Sequence, residues 1–92
     1  MTATEISPEQ ATREEALVAS VPTDLLIGGR WVPSSSGERF AVEDPATGAV
    51  LTTVADATAE DGAAALDAAA AAQEAWGRTA PRERAELLRR AF

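Results

Sequence analysis

The sequence predicts an α/β chain: a short polar leader, two consecutive β-hairpin units, then two helices, with too little apolar bulk to complete a core alone. Three observations carry that reading. Strand-forming residues cluster between positions 25 and 54 around glycine- and proline-bearing turns. The apolar period becomes helical from Thr58 onward. Hydrophobic residues make up 46% of the 92-residue chain, but 22 of them are alanine, and only Trp31, Phe40, Trp76 and Phe92 are aromatic. Alanine removes little area from water per side chain. A domain this small hides only roughly 60–65% of its unfolded surface even when its apolar residues are large.

Residues 1–23 read as an acidic leader containing one short helix. Ser7-Pro8-Glu9-Gln10 has the layout of a capped start, with Ser at the cap, Pro at the first helical position and Gln three residues on from the cap. The helix is expected to run to about Ser20 and to be stopped by Pro22. Its apolar positions, Ala11, Leu17, Val18 and Val21, form only a thin stripe. Residues 24–92 form the second unit. Leu25-Leu26-Ile27 and Arg30-Trp31-Val32 flank Gly28-Gly29, a two-residue hairpin signal. Pro33-Ser34-Ser35-Ser36-Gly37 is a surface loop by composition. Phe40–Glu43 and Val50–Val54 then pair across Asp44-Pro45-Ala46-Thr47-Gly48, where Pro45 presets φ and the Asp44 carboxylate can bond the backbone two residues on.

Thr58-Ala59-Glu60-Asp61 resembles a capping box, with its acids placed where the helix dipole favours them. Ala63, Leu66, Ala69, Ala70 and Gln73 share one face of the helix that follows, while Glu60, Asp67 and Glu74 recur on another. A face built mostly of alanine admits a close neighbour but needs a large partner surface. Gly77 is the expected stop. Pro81 opens a second helix with Glu83 early, Arg89 and Arg90 late, and Glu86 and Arg90 spaced to pair at i,i+4. That pattern reaches Phe92 without a Gly, Asn or Pro to end it. With the thin core, this reads as an amino-terminal portion of a longer protein.

Composition excludes several chemistries within these residues. There is no cysteine, so neither a disulfide framework nor a cysteine nucleophile can be built here. Without histidine there is no Ser-His-Asp triad and no imidazole metal site. The net charge is −7 and all eight cations are arginine, a poor match to nucleic-acid phosphates. No apolar run is long enough for a bilayer. The start lacks the basic and apolar regions of a secretory signal. A soluble, cytoplasmic protein is expected, with neither nucleic acid nor membrane as partner.

No residue earns a site assignment: catalytic none, cofactor-binding none, metal none. Gly28-Gly29 lacks the spacing and the following helix of a dinucleotide fingerprint, so a hairpin turn is the reading. Ser34, Ser35 and Ser36 carry hydroxyls with no base nearby. The carboxylates of Glu60, Asp67 and Glu74 stand roughly 10 Å apart along the helix, too far to share a proton or a metal. Arg82, Arg84, Arg89 and Arg90 could meet a phosphate or a partner carboxylate, but such a cluster is more often a solvated helix exterior. Trp31 and Trp76 read as packing anchors.

Read as a string, residues 25–92 resemble the amino-terminal region of the aldehyde dehydrogenase superfamily. The resemblance rests on ordered motifs: Leu-Ile-Gly-Gly-Arg-Trp-Val at 26–32, Asp-Pro-Ala-Thr-Gly at 44–48 and Val-Leu-Thr-Thr-Val at 50–54. Thr-Ala-Glu-Asp at 58–61, Ala-Ala-Gln-Glu-Ala-Trp at 71–76 and Ala-Pro-Arg-Glu-Arg-Ala-Glu-Leu-Leu-Arg-Arg at 80–90 follow. Residues 21–29 and 65–76 look most like the succinate-semialdehyde dehydrogenase branch. The alanine and arginine content without lysine fits a GC-rich bacterial source.

The resemblance implies the first part of a Rossmann-like coenzyme domain, in a protein that also has a catalytic domain and an oligomerisation arm. It implies a small-molecule aldehyde substrate, NAD or NADP as hydride acceptor in the whole protein, and a homo-oligomer. Family members attack the aldehyde with a cysteine thiolate, pass hydride to the nicotinamide, and hydrolyse the thioester with glutamate-activated water. An asparagine and a backbone N–H hold the oxyanion. This chain has no Cys, no Asn and no coenzyme-loop glycine motif, so it is expected to bind no coenzyme alone and to lack activity. Two alternatives stand beside this reading: a non-catalytic short scaffold or interaction protein, and a superfamily member acting on another aldehyde.

Overall fold

A computed structural model describes residues 7–92; the first six residues of the leader lie outside the described residues. The element order is α1 (Pro8–Ser20), β1 (Leu25–Ile27), β2 (Arg30–Val32), β3 (Arg39–Glu43), β4 (Val50–Ala55), α2 (Ala59–Arg78) and α3 (Pro81–Ala91). The strands form two separate two-stranded sheets, β1 with β2 and β3 with β4, both antiparallel. The α/β content and the hairpins-then-helices order agree with the sequence reading.

Local chemistry accounts for most boundaries. Ser7 caps α1 through its side chain, which accepts from the Gln10 N–H at 3.1 Å. The Gln10 amide turns forward to Glu14, 3.2 Å away, so the cap is one-sided. Val21 is held extended at φ −79° and ψ 127°, as the residue before Pro22 must be.

In the first hairpin Leu26 pairs with Trp31, and Ile27 with Arg30. Gly28 and Gly29 make the turn at φ +62° and +76°. Two successive positive φ values match the right-handed twist of the flanking strands and exclude most side chains. An alanine Cβ at Gly29 would meet nothing within 4 Å, so the cost of Gly29→Ala is purely conformational, roughly 1–2 kcal/mol. In the full-length protein, hydrogen exchange at the hairpin amides is expected to accelerate about 5- to 30-fold; unchanged exchange would show that the turn tolerates a side chain.

The second hairpin is closed as its residues dictate. The Asp44 carboxylate accepts from the Ala46 N–H at 2.8 Å, and the Asp44 carbonyl accepts from Gly48 at 2.7 Å. Pairing runs from Arg39 with Ala55 to Val42 with Thr52. It then slips by one residue, leaving Leu51 as a bulge before Glu43 meets Val50.

Two helix details differ from expectation. Gly77 does not stop α2, which continues through Arg78 and ends at Thr79, φ −67° and ψ 134°. The Thr79 hydroxyl donates to the Ala75 carbonyl at 3.0 Å. Pro81 keeps Ala80 extended, at φ −58° and ψ 140°, so the helix cannot continue past Thr79 into α3. On α3, Glu86 pairs with Arg89 at 3.3 Å, not with Arg90; positions i+3 and i+4 are both neighbours on a helix surface, and the i+3 arginine takes the carboxylate here.

The two hairpins are joined by backbone and by one arginine. The Ala55 N–H donates to the Thr23 carbonyl at 2.9 Å, while the Asp56 N–H donates to the Glu38 carbonyl at 2.9 Å and extends the β3–β4 ladder by one step. Arg39 gathers the Asp24 carboxylate at 3.0 Å, the Thr23 hydroxyl at 2.7 Å, and the Thr53 carbonyl and hydroxyl at 2.8 and 3.1 Å. A planar fork with several donors fits that set better than an ammonium does. Its half-exposed ion pair is screened, so in the full-length protein Arg39→Met is expected to cost about 1 kcal/mol, read as faster exchange of the Ala55 amide. No change would mean that the Ala55–Thr23 backbone bond holds the hairpins together without the arginine.

Little of this is buried. Ala55, at 7% exposure, is the sole buried hydrophobic residue among those described, whereas Leu66 is 70% exposed and Leu88 68%. Trp31 and Trp76, expected as packing anchors, are 53% and 41% exposed. The described residues contain no surface large enough to cover either ring. The alanine-rich side of α2 and the Leu87, Leu88 side of α3 are likewise open.

Candidate functional site

The most organised cluster of polar side chains joins the loop after β2 to the start of α2. Its centre is Asp61, 9% exposed, and beside it lies Ser34, 5% exposed. Thr58 caps α2: its hydroxyl accepts from the Asp61 N–H at 3.2 Å, and an Asp61 carboxylate oxygen accepts from the Thr58 N–H at 2.9 Å. This reciprocal box is the one the Thr58-Ala59-Glu60-Asp61 spacing predicts.

The same carboxylate also reaches across the chain. It accepts from the Ser35 N–H at 3.1 and 3.2 Å and from the Ser34 hydroxyl at 3.2 Å. The Ser35 and Thr58 hydroxyls lie 2.8 Å apart. Ser34, with its proton committed to Asp61, accepts from the Ser36 N–H at 3.3 Å and pairs with the Ser36 hydroxyl at 3.0 Å. One carboxylate thereby satisfies both a helix end and a loop. The Pro33–Gly37 segment, read from composition as a surface loop, is anchored at Ser34 because Asp61 supplies the acceptors its buried hydroxyl and backbone need.

These bonds hold the Asp61 carboxyl at about 2, below its ordinary 3.8; the backbone bond from Thr58 is the largest cause, and bonds from Ser35 add to it against the opposing effect of burial. A hydroxyl donating to a carboxylate has the outline of a nucleophile and its base, but a base this weak takes no proton from serine near neutral pH. The bonds of the cluster cap α2 and anchor the Pro33–Gly37 loop to it.

The other candidates do not converge. Among the described residues, no group of three or more His, Cys, Asp or Glu side chains is placed to hold a metal ion. Glu74 is paired with Arg78 at 3.1 Å on the exposed side of α2. Arg82 and Arg84 lie about 200° apart around α3, Arg89 is taken by Glu86, and Arg84 is half-buried. A dinucleotide does not fit the residues present. Its pyrophosphate needs free N–H groups at a helix start after a glycine-rich turn, whereas Gly28-Gly29 links two antiparallel strands. The first turn of α2 already holds Glu60 and the Asp61 carboxylate. No helix is long and apolar enough to cross a membrane among the described residues.

Sequence reasoning found the Thr58–Asp61 box but not its reach to Ser34 and Ser35, and it did not single out Arg39. The tripeptide of serines signals many donors; which acceptor meets them depends on folding 26 and 27 residues apart.

The chain matches the model of the aldehyde dehydrogenase family over residues 31–92. It is 52% identical over 67 residues to a fluoroacetaldehyde dehydrogenase of Streptantibioticus cattleyicolor, covering 73% of this chain and 13% of the relative. To acetaldehyde dehydrogenase 2 of Cupriavidus necator it is 50% identical over 64 residues, 70% of this chain and 13% of the relative. To a succinate-semialdehyde dehydrogenase of Paenarthrobacter nicotinovorans it is 67% identical over 43 residues, 47% of this chain and 10% of the relative. The chain thus spans about an eighth of the length of the curated relatives it matches. No solved structure matches it. With the family model covering well over half of its residues, and with the hairpin, loop and helix motifs in their expected order, the chain belongs to the aldehyde dehydrogenase family.

Proposed function

We propose that this chain is the leading part of the coenzyme domain of an NAD- or NADP-dependent enzyme that oxidises an aldehyde to the acid, with succinate semialdehyde as the substrate. Residues 1–23 are its leader, and residues 24–92 supply hairpins and helices that pack against a Rossmann-like sheet. The whole protein is a cytoplasmic homo-oligomer that takes a small aldehyde. The observation that carries the substrate choice is the 67% identity over 43 residues to a succinate-semialdehyde dehydrogenase, in keeping with the motifs at 21–29 and 65–76. The open sides of α2 and α3, with Leu66 and Leu88 largely exposed, support a role as scaffold for a larger body. No residue of this chain is assigned to the chemistry.

A second reading, an enzyme for a short aliphatic aldehyde, is favoured by the longer match, 52% over 67 residues, to a fluoroacetaldehyde dehydrogenase. A panel of aldehydes on the full-length protein separates the two. Succinate semialdehyde carries a carboxylate that a positioned arginine can hold in the pocket, so its kcat/KM should exceed that of acetaldehyde and fluoroacetaldehyde. The reverse order assigns the short-aldehyde reading. Absence of NAD(P)H formation with every aldehyde would favour a non-catalytic scaffold.

A further inference from the structure

We draw no further inference here: the strongest candidate, the open groove between α1 and the β3–β4 hairpin lined by Val18, Val21, Val50 and Leu51 with Glu14, Glu15 and Asp44 beside them, is an unpartnered apolar face and nothing in the structure shows what covers it.

Discussion

Purified alone, the 92-residue chain should show no cooperative thermal transition and no NAD(P)H formation with any aldehyde. The first expectation follows from burial. Folding fixes each residue at a cost of roughly 1–2 kcal/mol in backbone entropy, and apolar burial must offset it at about 25 cal/mol per Å². Here one small side chain, Ala55, makes up the buried hydrophobic set of the described residues, while Leu66, Leu88, Trp31 and Phe40 stay largely in water. Short two-stranded hairpins are marginal without a covered face. Circular dichroism during heating checks this: helix signal should decline gradually, and a dye for exposed apolar surface should bind before heating. A sharp transition with intact strand signal would refute it. The second expectation follows from the absence of cysteine: no thiolate is available to form the covalent adduct from which hydride leaves. A rate above background that survives repurification would overturn it.

Replacing Asp61 is expected to have the largest effect of any single substitution. Asp61→Asn keeps the volume but replaces one acceptor oxygen by an NH2 group, facing donors from Ser34, Ser35 and Thr58. A buried donor left without an acceptor is costly, which is why the loss exceeds that of an ordinary surface bond. In the full-length protein the amides of Ser35 and Thr58 and the first turn of α2 should all lose exchange protection together. Thr58→Ala is the comparison: it removes one cap bond, costing about 1 kcal/mol, and the contact with the Ser35 hydroxyl, but should spare the Ser35 amide, which donates to Asp61. Unchanged protection at Ser35 in the Asn variant would show that the loop is held by something else.

The pH dependence has a definite sign. The folded carboxyl sits at about 2 and an ordinary one at 3.8, so between these values the unfolded chain binds more protons. The stabilisation from Asp61 is therefore complete above the higher value and is withdrawn as pH falls through the lower one. Loop and helix-start amides of the native protein should lose protection across that window, and the Asn variant should lack this dependence. A variant that retains the dependence would assign the titration to another acid.

How far the sequence reached can be judged element by element. Ser7 and Pro8, Thr58 with Asp61, and Pro81 each declared a helix start because capping and proline geometry act within four residues. Gly28-Gly29 and Asp44-Pro45 declared their turns for the same reason, since backbone dihedrals are local. The end of α2 was misplaced by its glycine. Gly77 permits a stop without requiring one, whereas Pro81 constrains Ala80 directly.

What the sequence by itself determined, then, is the order of hairpins and helices, the family, and the absence of any cysteine or histidine chemistry in these residues. Only the tertiary structure decided that Asp61 serves a loop as well as its own helix, that Arg39 gathers Thr23, Asp24 and Thr53, and that Trp31 and Trp76 stand open. Caps and turns are settled by neighbours along the chain. A long-range acceptor and the covering of an aromatic ring are settled by which surfaces folding brings together, and one-dimensional spacing does not encode that meeting.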